Sequence, residues 1–245
     1  MRTALIRSST WRRMTLGVIL FHGLLTAQSL SYTLSWLAIP VVDITIQTTQ
    51  TDTSIHGVYH ARTRPWFEKL YPVDNRYDIW AARPSGSPLR YEKHIVERSR
   101  DVHFSAQYDE DGQRVVYANG LERPWQPGMH TLFSALLWVQ QHPWEENERQ
   151  DLLVEVEGVV WQVTTRCTQV IPSTGELGAR AEVLVRFEGQ EYGEPVLSRT
   201  DMVTYMLPGK GHELKFGLDL DRHQILWVTF GSIPFQVRAE LNPIP

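Results

Sequence analysis

Apolar side chains return at every second position through most of this chain. Val102, Phe104, Ala106 and Tyr108 alternate with His103, Ser105 and Gln107. The same alternation runs through Leu152–Val156, Val159–Val163, Ala181–Phe187, Leu214–Leu220 and Phe235–Leu241. A period of two lines one face of a β-strand with apolar groups and leaves the other face polar. Strands wet on one side belong to antiparallel sheet rather than to buried parallel sheet. Asp109–Gly112, Glu157-Gly158 and Gly209-Lys210-Gly211 stand between such runs and read as hairpin turns. The chain is therefore expected to be mainly β.

Two segments break the alternation. Met129, Leu132, Phe133, Leu136 and Leu137 fall at helical spacing, which predicts a helix from about Met129 to Gln141 before Pro143 stops it. Pro65-Trp66-Phe67-Glu68-Lys69-Leu70-Tyr71-Pro72 reads as a short aromatic turn or helix. Arg83–Pro88 and Ile171–Gly178 are rich in Pro, Gly and Ser and read as loops. No internal repeat or interdomain linker appears, so residues 30–245 are expected to form a single antiparallel β domain.

The first 29 residues have the three parts of a secretory signal. Arg2, Arg7, Arg12 and Arg13 are basic and no acid accompanies them. Met14–Leu25 is apolar apart from Thr15 and His22, and Ala27-Gln28-Ser29 offers a cleavage site. The apolar run is about 12 residues, short of the roughly 20 needed to span a bilayer. Cleavage of residues 1–29 and residence in the periplasm or cell envelope are expected; the alternative is an uncleaved N-terminal anchor. Lipidation at the signal is not expected, because the one cysteine is Cys167.

Charge narrows the partners. The chain carries 24 Lys+Arg and 28 Asp+Glu; loss of the four signal arginines leaves 20 against 28, a formal charge of −8. An acidic chain without a basic run lacks the electrostatic footprint for nucleic acid and a polybasic patch for anionic lipid. Cys167 lies in a strand-like run and reads as a packed thiol.

The order of segments resembles the domain of unknown function 3108 family of bacterial envelope proteins. The resemblance rests on Leu34–Ile39, the strand Asp43–Thr48, Trp66-Phe67, Leu70–Tyr77, the strand Arg90–Arg98, the helix segment His130–Leu137, Leu218–Leu226 and Val237–Leu241. Pro40-Val41 stands where the family tends to have glycine, and His130 where it favours an acid. The resemblance implies a lipoprotein-carrier-like fold: a curved antiparallel sheet, an incompletely closed β-barrel, with one or two helices packed on it. A hollow in such a fold would hold an acyl chain, an implication of fold alone.

Sequence motifs for catalysis are weak. His56 and His60 lie four residues apart on a strand, roughly 13 Å, too far to share one ion. Asp109-Glu110-Asp111-Gly112 has glycine at the twelfth calcium-loop position, Gly120, instead of glutamate. Asp219 and Asp221 share a strand face about 7 Å apart, a spacing at which a carboxylate pair does acid-base work if one is shielded, but Arg222 and His223 beside them read as an exposed turn. No nucleophile elbow or phosphate-binding glycine loop is present. No catalytic residue, metal or cofactor is predicted.

The aromatic residues stand out most. Trp66, Phe67, Tyr71 and Trp80 are expected at the mouth of a ligand site completed by Leu132, Phe133 and Leu136 of the helix. This favours a non-catalytic binding module for a lipophilic envelope component. The alternatives are a structural or protein-interaction component of an envelope assembly and, third, an envelope-polymer hydrolase.

Overall fold

The computed structural model describes residues 26–174, 178–197, 201, 203–204, 207–231 and 236–243. Fifteen strands form one unclosed sheet among them. From the N-terminal side come β1 (Thr26–Trp36), β2 (Ile39–Gln50), β3 (Ser54–Thr63), β4 (Val73–Ala82), β5 (Pro88–Glu97), β6 (Arg100–Asp109), β7 (Arg114–Tyr117) and β8 (Glu122–Pro124). A short helix, α1 (Pro65–Glu68), lies between β3 and β4. The chain then crosses through β9 (His130–Thr131) and α2 (Leu132–Gln141). It returns through β10 (Arg149–Val156), β11 (Val159–Ile171), β12 (Arg180–Gly193), β13 (Glu213–Asp219), β14 (Gln224–Phe230) and β15 (Val237–Leu241).

The spatial order is β8 to β1 followed by β15 to β9, so two meanders meet where β1 pairs antiparallel with β15. The edges are β8 and β9, which do not pair. The β9–β10 pairing is parallel, with α2 as its crossover, because a parallel pair cannot be joined by a tight turn. This is the mainly antiparallel, incompletely closed arrangement that the alternation and the family resemblance imply. No described helix is long and apolar enough to cross a membrane.

Thr26–Ser29 lie inside the expected signal but pair with Gln47–Gln50 in the β1–β2 hairpin. The rest of that segment, residues 1–25, is outside the described residues.

The helix begins later than its apolar spacing suggests, because Met129 precedes β9. Thr131 caps it: its hydroxyl accepts from Ser134 N at 3.1 Å, and Ser134 Oγ accepts from Thr131 N at 2.9 Å. Trp144 Nε1 donates to Val139 O at 2.8 Å and satisfies a carbonyl of the last turn. Leu132, Phe133, Ser134, Ala135, Leu137 and Val139 are buried, while Leu136 is only half-buried. The helix is thus embedded on several sides rather than lying on one apolar stripe. Phe133 reaches Tyr59, Tyr77 and Tyr91 on β3, β4 and β5, with ring centroids 5.0, 4.7 and 5.7 Å away.

Beside the cap, burial holds the His130 imidazole down at a pKa of about 4. Above pH 6.5 the ring is neutral in both folded and unfolded chains. Between 6.5 and about 4 the unfolded chain takes up a proton that the folded site resists, so stability falls as the pH falls. The loss attributable to His130 approaches about 3 kcal/mol near pH 4. His130→Gln should flatten the dependence of melting temperature on pH in that interval, and equal slopes for the two proteins would contradict the assignment.

Candidate functional site

The candidate site is one apolar end of the sheet. Trp36 pairs with Ile39 across the two-residue turn Leu37-Ala38, whose φ angles are +53° and +62°. Such a turn matches the twist of a hairpin but favours Asn-Gly, because a side chain in left-handed backbone costs about 1–2 kcal/mol per residue. Here the strained positions carry leucine and alanine.

The neighbouring segment is α1. Arg64 N donates to Val41 O at 2.9 Å, and the Arg64 guanidinium bonds Asp43 at 2.7 Å, so the helix starts beside the first residues of β2. Proline at its first position suits a helix start, and Leu70 and Tyr71 N–H groups both close back on Phe67 O. Trp66 and Phe67 rings meet edge-on at 5.3 Å.

Seven large hydrophobic side chains are exposed among the described residues. Five belong to these two segments: Trp36 at 40%, Leu37 at 50%, Ile39 at 52%, Trp66 at 51% and Leu70 at 68%. Tyr71 lies behind them under the Arg98 guanidinium, 4.3 Å from its ring centroid. A hollow of about 230 Å³ opens there between Tyr71, Glu97, Arg98 and Arg100. This end carries Arg62, Lys69, Arg98 and Arg100 together with Asp43, Glu68, Asp74 and Asp101, all exposed. The collar is mixed in sign, so attraction to this end must come mainly from apolar contact.

The residues predicted to form one ligand site are divided among three places. Trp66, Phe67 and Tyr71 stand at the apolar end. Leu132 and Phe133 are buried against the inner face, with Leu136 half-buried nearby. Trp80 is not part of a shared mouth: it lies on the outer face, stacked on His56 at 4.4 Å with Arg90 5.2 Å above its ring. The reason is register, because Tyr77, Ile79 and Ala81 take the inward positions of β4.

The interior is polar at its centre, which the sequence reading missed. Lys93 is fully buried on β5, between Tyr91 and Ile95. Its Nζ donates to Asp201 Oδ2 at 2.7 Å and pairs with Glu157. Tyr77 Oη donates to Asp201 Oδ1 at 3.1 Å, and Thr204 N does so at 2.8 Å. Burial pushes the Asp201 carboxyl up, but Lys93 and the Thr204 hydrogen bonds outweigh it and hold the pKa below the usual range. Glu157-Gly158 forms the β10–β11 turn, as its sequence predicts. Gly158 has φ +98°, and a Cβ there would stand 2.5 Å from Glu194 O, so the turn that delivers Glu157 requires glycine. Nearby, Tyr108, Tyr117 and Gly158 N donate to Glu155. Burial raises this carboxyl despite those three donors.

The second described hollow, about 320 Å³, lies on the outer face beside Arg76, Asp78, Glu92, His94 and His103. Ser134 Oγ comes within 3.4 Å of His130 Nδ1, but the serine is fully buried and engaged in the helix cap. Asp219 corrects the expectation of an exposed pair: it is buried and its Oδ1 accepts from Arg222 N, while Asp221 accepts from Ala179 N. His56 and His60 contact different carboxylates, Asp78 at 3.1 Å and Asp74 at 2.6 Å. Cys167 is buried, and burial raises its thiol.

No curated protein matches this sequence. The fold is similar to the crystal structure of a beta-barrel-like protein of domain of unknown function DUF1849 from Brucella abortus. The TM-score is 0.54 at 11% identity, over 88% of this chain and 94% of that one, a likeness of fold alone. Residues 31–151, from β1 into β10, match the family described as protein of unknown function DUF3108. Over that stretch of strands and helix, this chain is similar to the DUF3108 family.

Proposed function

We propose that this is an exported, non-catalytic binding module of the periplasm or cell envelope, and that it attaches to a lipophilic component, the bilayer surface, through its apolar end. The observation that carries the reading is the concentration of Trp36, Leu37, Ile39, Trp66 and Leu70 on two adjoining segments. Tryptophan suits the boundary between headgroups and hydrocarbon, having an apolar ring and a polar N–H. Burying half of the exposed apolar surface of five such side chains gains on the order of 5 kcal/mol before ordering costs. The strained Leu37-Ala38 turn supports the same reading, since a turn serving stability alone would carry residues suited to positive φ. Inside the sheet, Phe133 packs against three tyrosines between α2 and β3–β5, which leaves the exposed apolar end as the contact surface.

Co-sedimentation with phosphatidylethanolamine–phosphatidylglycerol vesicles tests this. Wild-type protein should pellet with lipid and shift its tryptophan emission to the blue. The double variant Leu37→Asn/Ala38→Gly should bind roughly tenfold more weakly, a loss of about 1.4 kcal/mol. Its melting temperature should be unchanged or higher, because the turn is relieved. Wild-type protein that stays in the supernatant at every lipid concentration would rule out the bilayer as partner. Equal binding by the variant would rule out this end as the contact.

A further inference from the structure

The outer face of the β5–β6 hairpin brings together His94, Asp101 and His103, outside the apolar contact surface. Strands β5 and β6 join through Arg98-Ser99, with Arg98 at φ +54°, so His94 and His103 become direct cross-strand partners. Asp101 is two residues before His103 and shares its outward face. The two imidazoles stack at 3.9 Å with 13° between their planes. Both Nε2 atoms turn to the same carboxylate oxygen, Asp101 Oδ1, at 2.9 Å from His94 and 3.8 Å from His103.

We propose that His94, Asp101 and His103 form a binding site for a divalent transition-metal ion of the zinc class. One ligand atom from each residue lies within 4.8 Å of the others. A tetrahedral ion with bonds near 2.0–2.1 Å sets its ligands about 3.4 Å apart. The separations of 2.9 and 3.8 Å bracket that figure. Two imidazoles and a carboxylate suit zinc and its neighbours, whereas calcium and magnesium take oxygen ligands. Parallel rings point their lone pairs side by side, so the imidazoles must toe in to converge on one ion. Both are accessible enough to turn, His103 being exposed and His94 partly so. The fourth position faces solvent, where the 320 Å³ hollow lined by His94, His103 and Glu92 leaves room for water or a ligand. Arg76 stands opposite His94 on β4, and Asp78 balances its charge through bonds of 2.7 and 3.0 Å.

The test is calorimetric titration of chelator-treated full-length protein with zinc sulfate, with cobalt(II) absorption as a second readout. Expected are one micromolar site per chain and intense visible cobalt bands of four-coordinate geometry. His94→Ala, His103→Ala and Asp101→Asn should each weaken zinc by roughly tenfold or more. His56→Ala/His60→Ala should leave it unchanged. Because the three side chains are accessible, melting temperatures of the variants should stay near wild type, separating lost ligands from lost fold. No zinc binding by wild type, or binding by His103→Ala equal to wild type, would overturn the site.

Discussion

Lys93→Ala is expected to destabilise the protein by about 3–5 kcal/mol at neutral pH, since it leaves buried carboxylates without their cation. Lys93 is fully enclosed between Asp201 and Glu157, which come from segments 108 and 64 residues away in sequence. The measurement is the midpoint of urea unfolding followed by tryptophan fluorescence. In wild type the Asp201 carboxyl lies below its ordinary pKa, so its stabilisation is full above that ordinary value and disappears as pH falls through the depressed one. In Lys93→Ala, burial of Asp201 is opposed by its Thr204 and Tyr77 hydrogen bonds without the lysine, so its carboxyl pKa rises above the wild-type position. The deficit should therefore be present at neutral pH and shrink as the pH falls through that carboxyl's titration. The triple variant Lys93→Met/Glu157→Gln/Asp201→Asn should recover most of the loss, because no unpaired charge remains. An unchanged midpoint in Lys93→Ala would show that the ion pairs do not form in solution.

Phe133→Ala should cost about 3–5 kcal/mol, the range for removing a large aromatic side chain from a core. The ring touches tyrosines from three consecutive strands, so its loss opens space between α2 and the sheet that rigid strands cannot collapse to fill. For a domain of this size the melting temperature should fall by roughly 10 °C. Leu136→Ala, one turn on but only half-buried, should cost clearly less. If the two substitutions cost the same, the helix does not insert Phe133 as described.

Strands and turns were legible wherever one phase of the alternation was cleanly apolar. Val102–Tyr108 and Leu214–Leu218 lie in β6 and β13, and the expected turn at Asp109–Gly112 falls at 110–113 between paired strands, as Glu157-Gly158 does. The helix was legible from spacing, but its burial was not. Two partly matching faces look alike in sequence until the sheet wraps them. Grouping aromatic residues by nearness along the chain sets Trp80 with Trp66; phase separates them, because Trp80 is out of step with Tyr77, Ile79 and Ala81. Phase also marks Lys93, which keeps step with Tyr91 and Ile95, a signal that a single polar residue easily hides. Its partners were beyond local reading, since a loop residue more than one hundred positions away supplies Asp201. The His94–His103 pair needs only the location of its turn, but Arg98-Ser99 lacks the Asn, Asp or Gly that marks a turn with positive φ.

The meeting of β1 with β15 also bears on the order in which a growing chain can complete itself. Tyr32 faces Leu241 and Ser31 O accepts from Asn242 N at 2.8 Å, so the middle of the sheet is closed by strands about two hundred residues apart. Synthesis delivers β1–β8 first, and that half can pair neighbour with neighbour as it emerges. Until β15 arrives, however, β1 keeps a long unpaired backbone edge, open to any other strand. A strand made long after β1 thus seals the most vulnerable surface of the first half, and truncation before Val237 would leave that edge permanently available to other chains.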